Sequence, residues 1–110
     1  MLDGKRFLYV GFMCHQVIEK MLKAYYTFKI EKVPPFIHNL TILAKKSEVY
    51  DEISESQQEF IIYLEPLNIK ARYPSYKDKL FKIFTEDKCN QVLKNTEDLY
   101  QWIKKKLIEN

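Results

Sequence analysis

The spacing of apolar side chains over the first thirty residues constrains the fold more than any other feature of the sequence. Between positions 7 and 28 they recur at steps of three and four: Phe7, Val10, Cys14, Val17, Ile18, Met21, Tyr25 and Phe28. This is the period of one face of an α-helix, and it predicts a helix from about Lys5 to Lys29. The first half is apolar on nearly every side, so we expect this helix to be buried against more than one neighbour.

Prolines divide the rest of the chain. Proline lacks a backbone N–H and its ring clashes with the preceding helical turn, so Pro34-Pro35, Pro66 and Pro74 should cut the chain into four helical pieces. The Pro34-Pro35 pair predicts an extended turn after the first helix. A short helix is expected to follow from about Asn39 to Lys46, with three inward-facing residues, Leu40, Leu43 and Ala44.

A third helix is predicted to begin near Asp51. Ser54 and Gln57 have the spacing of a capping box, in which each side chain accepts from the other residue's backbone N–H. Pro66 should kink or restart the helix, which is then expected to reach Ala71 before the next proline stops it. Its predicted inward stripe is Ile53, Gln57, Phe60, Ile61 and Leu64.

The last predicted helix starts after Thr85, a residue type that commonly caps helix N-termini. Its expected buried stripe is Cys89, Val92, Thr96, Leu99, Ile103 and Leu107. With only two glycines and no alternating apolar pattern, strands and hairpins have little support. Three long helices and one short helix with short links predict an all-α fold, an antiparallel up-and-down helical bundle, as a single domain over residues 1–110.

Hydropathy and cysteine usage bound the class of protein. The longest uninterrupted apolar run, Phe7 to Cys14, has eight residues, far short of the roughly 20 that span a bilayer. No small-residue cleavage site follows it, so we expect a cytoplasmic protein with no membrane partner. Cys14 and Cys89 could form one disulfide, but free thiols are the preferred interpretation. Neither has a histidine at zinc-ligand spacing, and we predict no metal and no cofactor.

Charge is segregated along the chain although the net charge is only +3. Residues 48–65 carry six acids and no lysine or arginine. Residues 70–82 carry five cations against the single acid Asp78. We therefore expect an acidic region beside a basic one.

Aromatic residues interleave with the cations of the basic segment. Tyr73, Tyr76 and Phe81 lie among lysines and Arg72, a combination that can contact phosphates through charge and stack bases on aromatic rings. The planar guanidinium of Arg72 suits bidentate phosphate recognition better than a lysine does. The alternative is that Arg72 pairs with an acid from the neighbouring helix end while the tyrosines pack the loop.

Residues for catalysis are few. Two glycines cannot form a phosphate-binding loop, and no serine has the surroundings of an activated nucleophile. His15 lies one turn before Glu19 on the polar helix face, so it could act as a base, but a hydrogen-bonded structural role is preferred. His38, at the start of the short helix, is expected to cap or anchor the turn after the two prolines.

Three segments resemble the HEPN domain family, in the order in which that family carries them. The run Phe12-Met-Cys-His-Gln-Val-Ile-Glu-Lys-Met-Leu-Lys-Ala-Tyr-Tyr resembles the signature helix of the family. Pro34-Pro35 with His38-Asn-Leu resembles its Pro…Thr-His-Asp-Leu turn, and Leu64 to Pro74 resembles the later helix of the Ala-Arg-Tyr-Pro subgroup. Relative to the family, the chain starts about half a helix late, so Phe7 and Phe12 are expected to lack part of their usual cover and to favour association.

The resemblance implies a helical bundle, often dimeric, with a nucleotide-binding or RNA-cleaving function, and in some members a nucleotidyltransferase partner in a toxin–antitoxin module. Arg72 falls where the family's catalytic arginine would lie. The ribonuclease pattern then requires a histidine after four to six intervening residues, and this sequence has Lys77, Asp78 and Lys79 there. The resemblance therefore puts ribonuclease activity in doubt.

The preferred hypothesis from the sequence is a non-catalytic homodimer. It binds a nucleotide or an RNA phosphate through Arg72, Tyr73, Lys77 and His15, and the acidic residues 48–65 offer a surface for a nucleotidyltransferase partner. The alternative is a HEPN-type ribonuclease toxin with a degenerate active site, in which His15 or His38 acts as the base.

Overall fold

The computed structural model describes residues 2–69 and 73–109, and within them it has helices and no β-strand. The elements in chain order are α1 (Leu2–Ile30), α2 (Leu40–Lys46), α3 (Glu55–Leu64), α4 (Pro74–Ile83) and α5 (Glu86–Glu109), with a 3₁₀ turn (Glu65–Leu67) directly after α3. This arrangement confirms the predicted all-α helical bundle. None of these helices is long and apolar enough to cross a membrane.

Helix α1 is the centre of the bundle. It packs most extensively against α5 and also contacts α2, α3, α4 and the 3₁₀ turn, which confirms the expectation that it is buried on more than one side. Leu8, Ile18 and Leu22 of α1 are fully buried, as are Leu99 and Ile103 of α5. The long α1–α5 pair therefore forms the scaffold on which the shorter elements are placed.

Two helix starts follow from local capping. The Asn39 side chain accepts a hydrogen bond from the backbone N–H of Ile42 (3.0 Å) at the start of α2. Ser54 and Gln57 form the predicted capping box, with the Gln57 N–H donating to Ser54 Oγ (3.1 Å) and the Ser54 N–H donating to Gln57 Oε1 (3.0 Å). Helix α3 consequently begins at Glu55, and the prediction of a start near Asp51 was too early.

The structure corrects the prediction around the last two prolines. Helix α3 ends at Leu64 and its 3₁₀ extension at Leu67, so the helix does not run on to Ala71. Pro74 begins α4 instead of ending a helix. Proline fits the first helical position because its fixed φ is already helical and the N–H it lacks has no partner there. The segment from Pro74 to Ile83 is thus a fifth helix that the sequence prediction missed.

Phe12 is a second correction. It is 6% exposed and belongs to the core, and Phe7 is half-buried, so these two rings do not form the exposed aromatic surface that was expected. The large apolar residues that α1 presents to solvent in its first half are Tyr9, Met13 and Val17. They follow one another at four-residue steps and therefore share one side of the helix.

Both cysteines are buried free thiols. Burial raises the pKa of the Cys14 thiol, and a hydrogen bond with the Thr96 side chain offsets part of that rise. Burial also raises the pKa of the Cys89 thiol, and the nearby Cys14 and Glu86 raise it further. Because the thiolate is the reactive form, both thiols should react slowly with a thiol-specific reagent at pH 8 in the folded protein and rapidly in denaturant. Rapid labelling of two thiols in the native protein would contradict this packing.

The environment of Tyr25 predicts how the free energy of unfolding changes at alkaline pH. Burial, followed by the hydrogen bond that its hydroxyl donates to Glu52 (2.8 Å) and the negative charges of Glu52 and Glu48, raises the pKa of Tyr25 to about 12. An unfolded tyrosine titrates near pH 10. The stabilising contribution is therefore complete below pH 10, and above it the free energy of unfolding should fall by about 1.4 kcal/mol per pH unit until pH 12. In the variant Tyr25→Phe this decrease in the free energy of unfolding should be absent. Urea titrations at each pH measure that free energy, and the same decrease between pH 10 and pH 12 in both proteins would contradict the raised pKa of Tyr25.

Candidate functional site

A buried carboxylate joins α1 to the turn before α2. Glu19 is 6% exposed, and its Oε2 atom lies 3.1 Å from Lys23 Nζ and 3.0 Å from His38 Nδ1. An ionised carboxylate only accepts hydrogen bonds, so Nδ1 of His38 is the donor. The predicted role of His38 as an anchor of this turn is confirmed, and its partner is Glu19.

His15 lies one helical turn before Glu19 and is fully buried. Its Nδ1 atom is 3.3 Å from Gln16 Nε2 and 3.9 Å from Glu19 Oε1, and its Nε2 atom is 3.7 Å from Glu65 Oε2. The contacts of 3.7 and 3.9 Å are too long for hydrogen bonds but close enough for electrostatic interaction with carboxylates. The ring therefore lies between the carboxylates of Glu19 and Glu65 inside the bundle.

Glu65 also fixes the start of α2. Its Oε2 atom accepts from the backbone N–H of Leu40 at 2.8 Å, and a carboxylate is favoured at this position because the first N–H groups of a helix carry partial positive charge. Through His15, Glu19, His38 and Glu65, four polar side chains hold together α1, the proline turn, α2 and the end of α3. In the part of the chain that the structure describes, no group of three or more His, Cys, Asp or Glu side chains has the arrangement of a metal site.

The predicted phosphate-binding residues are placed as follows. Arg72 lies outside the described residues, and so does the alternative ion pair predicted for it. Tyr73 is 83% exposed at the residue preceding α4, and its carbonyl oxygen accepts from the N–H of Lys77 at 3.1 Å. Lys77, in the first turns of α4, is half-buried. The structure thus brings Tyr73 and Lys77 to the same end of α4.

His15, the fourth predicted contact, lies inside the bundle. The contacts described for it are with Gln16, Glu19 and Glu65, and its full burial means that a ligand in solvent does not reach the ring in this conformation. The structural interpretation of His15 fits this environment. Its predicted role as a phosphate contact would require the surrounding helices to move apart.

Sequence reasoning missed the exposed residues of the proline turn. Phe36 is 93% exposed. Its ring centroid lies 5.5 Å from the centroid of the His38 ring and 5.9 Å from Lys23 Nζ. One signal was available: residues 20–46 contain six lysines and a single acid, Glu31. This excess of positive charge is as large as that of the basic segment that was identified.

Comparison with known proteins identifies the family. The family model described as HEPN domain matches residues 1–107, which is nearly the whole chain and includes all three segments on which the resemblance was based. No curated protein and no solved structure matches the chain significantly. The match and the helical bundle agree, and the chain belongs to the HEPN domain family.

Proposed function

We propose that this HEPN protein, of the Ala-Arg-Tyr-Pro subgroup, binds a nucleotide or the phosphate of single-stranded RNA through Arg72, with Tyr73 and Lys77 assisting, and does not cleave it. The HEPN domain fits a nucleotide- or RNA-related function. The observation that carries the proposal is the position of Tyr73, whose ring is 83% exposed at the N-terminal end of α4 and directly follows Arg72 in the chain. An exposed aromatic ring offers a stacking surface, and an arginine at the preceding sequence position can add bidentate phosphate recognition.

The N-terminal end of α4 adds to the attraction for an anion. The helix dipole places partial positive charge at this end, which favours phosphate, although Pro74 has no N–H and the N–H groups of Tyr76 and Lys77 donate to the Tyr73 carbonyl oxygen. The first turn of α4 contains no acid that would oppose this, and Lys77 adds a full positive charge. Together these features support phosphate binding at the N-terminal end of α4, where Tyr73 and Lys77 lie.

The histidine inventory supports binding without catalysis. The sequence has no histidine after position 38, so this chain cannot supply one at the family's spacing from Arg72. His15 is fully buried, and Nδ1 of His38 is held by Glu19. The alternative, a degenerate ribonuclease, would use Nε2 of His38 as the base, and loss of RNA cleavage in His38→Ala would be its signature.

A homodimer is the proposed assembly, with the face shared by α1 and α5 as its interface. This face contains a groove of about 470 Å³ whose lining includes Val10, Met13, Val17, Leu93 and Tyr100. The groove is predominantly apolar, and Met13, Val17 and Leu93 are each more than one-third exposed in the single chain. Two copies related by a two-fold axis would cover each other's groove with the same residues.

The acidic region supports the proposed nucleotidyltransferase partner. Five of the six acids in residues 48–65 are exposed, and these are Glu48, Asp51, Glu52, Glu55 and Glu59. Charges on an interface rim mainly steer association and select partners of opposite charge. Co-purification of a basic nucleotidyltransferase that is lost on replacing these acids with their amides would support this partner; retention after the replacement would contradict the docking surface.

Calorimetric titration tests the ligand class. The wild-type protein should bind a single-stranded RNA of about 12 nucleotides more tightly than a mononucleotide, because several phosphates and bases then contribute. Affinity should decrease steeply as salt increases. An absence of binding to both ligands at low salt would contradict the proposed function.

A further inference from the structure

The turn between α1 and α2 presents a phenylalanine ring to solvent on a constrained backbone. Phe36 is 93% exposed. Pro34 and Pro35 restrict the chain just before it, and the N–H of Ile37 donates to the carbonyl oxygen of Pro35 at 2.8 Å. His38 follows and is bound to the buried Glu19. The backbone that carries the ring is therefore constrained by residues on both sides of it.

Two nitrogen-bearing side chains flank the ring. The imidazole of His38 meets it edge to face, at 5.5 Å between centroids and an interplanar angle of 69°. Lys23 Nζ lies 5.9 Å from the ring centroid while bonded to Glu19. Since Glu19 occupies Nδ1 of His38, Nε2 is the ring nitrogen that a ligand would meet, and the His38 side chain is 57% exposed. The turn thus places a stacking surface beside the Lys23 ammonium, which can donate to phosphate, and beside Nε2 of His38, which can donate when the imidazole carries both protons.

Lysines dominate the surrounding surface. Five of the six lysines in residues 20–46 are exposed: Lys20, Lys29, Lys32, Lys45 and Lys46. Within residues 20–46 their positive charge is opposed by one exposed acid, Glu31, since Glu19 is buried and already paired with Lys23 and His38. Such a surface attracts a polyanion and makes its binding dependent on salt.

We propose that Phe36 is a base-stacking subsite for single-stranded RNA, with the Lys23 ammonium and the doubly protonated form of the His38 imidazole, through Nε2, as donors to the adjoining phosphate. Aromatic rings bind single-stranded nucleic acids in this way because every base has a π-face, whereas a duplex hides its base faces. The proposal rests on the proposed function for the identity of the ligand. It adds a second point of attachment, on the α1–α2 turn, to the one at Arg72.

A tryptophan placed at the subsite reports stacking directly. The chain has one tryptophan, Trp102, so Phe36→Trp combined with Trp102→Phe leaves a single reporter at position 36. Circular dichroism establishes that this variant is folded. Single-stranded RNA of about 12 nucleotides should quench its emission, and the duplex of the same sequence should not. An unchanged spectrum at RNA concentrations that saturate binding would overturn the subsite, as would equal quenching by the duplex.

Affinity measurements with a matched control complete the test. Phe36→Ala should weaken RNA binding on the order of 10-fold, the size expected for loss of one stacked base. Val33→Ala, at an 87% exposed apolar position of the same turn, should stay within about two-fold of wild type, because valine has no ring on which a base can stack. Equal loss in both variants would overturn base stacking and indicate a general apolar contact, as expected for a protein partner.

The outcome distinguishes this subsite from the proposed function. If Arg72→Ala removes binding and Phe36→Ala does not, the subsite is wrong and the proposed function stands. If Phe36→Ala weakens binding and Arg72→Ala does not, the subsite stands and the assignment to Arg72 is wrong. No RNA binding by the wild-type protein would overturn both.

Discussion

Replacing Arg72 with alanine should weaken RNA or nucleotide binding by about 10- to 100-fold, because a charge-assisted hydrogen bond contributes about 1.5–3 kcal/mol. The guanidinium can engage two phosphate oxygens at once, and no other arginine lies within sixty residues of it in the sequence. Tyr73 and Lys77 remain in the variant and should keep some residual affinity. Titration calorimetry at one fixed salt concentration measures the change.

Two further variants separate the guanidinium fork from simple charge. Arg72→Lys keeps the positive charge but loses the planar pair of donors, so it should recover only part of the lost affinity. Lys70→Ala removes a cation from the same segment and should weaken binding by a few-fold, as expected for one loosely held phosphate contact. Wild-type affinity in Arg72→Ala would exclude this residue from the site.

Replacing Met13 with glutamate should dissociate the proposed homodimer, raising its dissociation constant by about 100-fold or more. The new carboxylate would be buried without a partner in an apolar groove, which costs several kcal/mol. Met13 is 46% exposed in the single chain, so the monomer should remain folded. Sedimentation equilibrium over a range of protein concentrations measures the dimer directly.

Ile62→Glu provides the control for this prediction. Ile62 is 56% exposed on α3 and does not line the groove between α1 and α5, so introducing a charge there should leave the dimer intact. Equal dissociation by both variants would indicate a general effect of added charge. A wild-type protein that stays monomeric at the highest concentrations would contradict the homodimer itself.

Helices whose signals are local could be predicted from the sequence. The three- and four-residue spacing located α1 and α5, and the Ser54–Gln57 capping box is complete within four residues. Helix α4 was missed because only Leu80 of its ten residues is buried, so its apolar period is weak. Pro74 is the first residue of α4, a position where proline is favourable, but the sequence prediction interpreted it as the end of a preceding helix.

The polar cluster could be predicted only where its members are close in sequence. Glu19 and Lys23 are one helical turn apart, a spacing at which a glutamate and a following lysine can pair on a helix surface. The contact of Glu19 with His38 spans 19 residues and depends on how the proline turn folds back on α1. His15 and Glu65 are 50 positions apart in the sequence and meet only because α3 ends beside α1. Such pairings are products of tertiary packing, which sequence spacing does not contain.

The exposure of Phe36 is a similar case. A phenylalanine between a proline pair and an isoleucine could equally have been a core residue, since most phenylalanines are largely buried. Phe36 faces outward because the two residues that follow it are attached to the bundle: Ile37 packs against the core and His38 is bound to Glu19. Charge, in contrast, could have been counted in advance, because six lysines against one acid are visible in residues 20–46.

The most direct test of binding without cleavage mixes end-labelled single-stranded RNA with enough protein to saturate it. The same sample is then analysed on a native gel and on a denaturing gel. We predict a shifted complex on the native gel and full-length RNA on the denaturing gel after prolonged incubation. Short RNA fragments that appear with the wild-type protein and disappear with His38→Ala would contradict this conclusion and establish a ribonuclease.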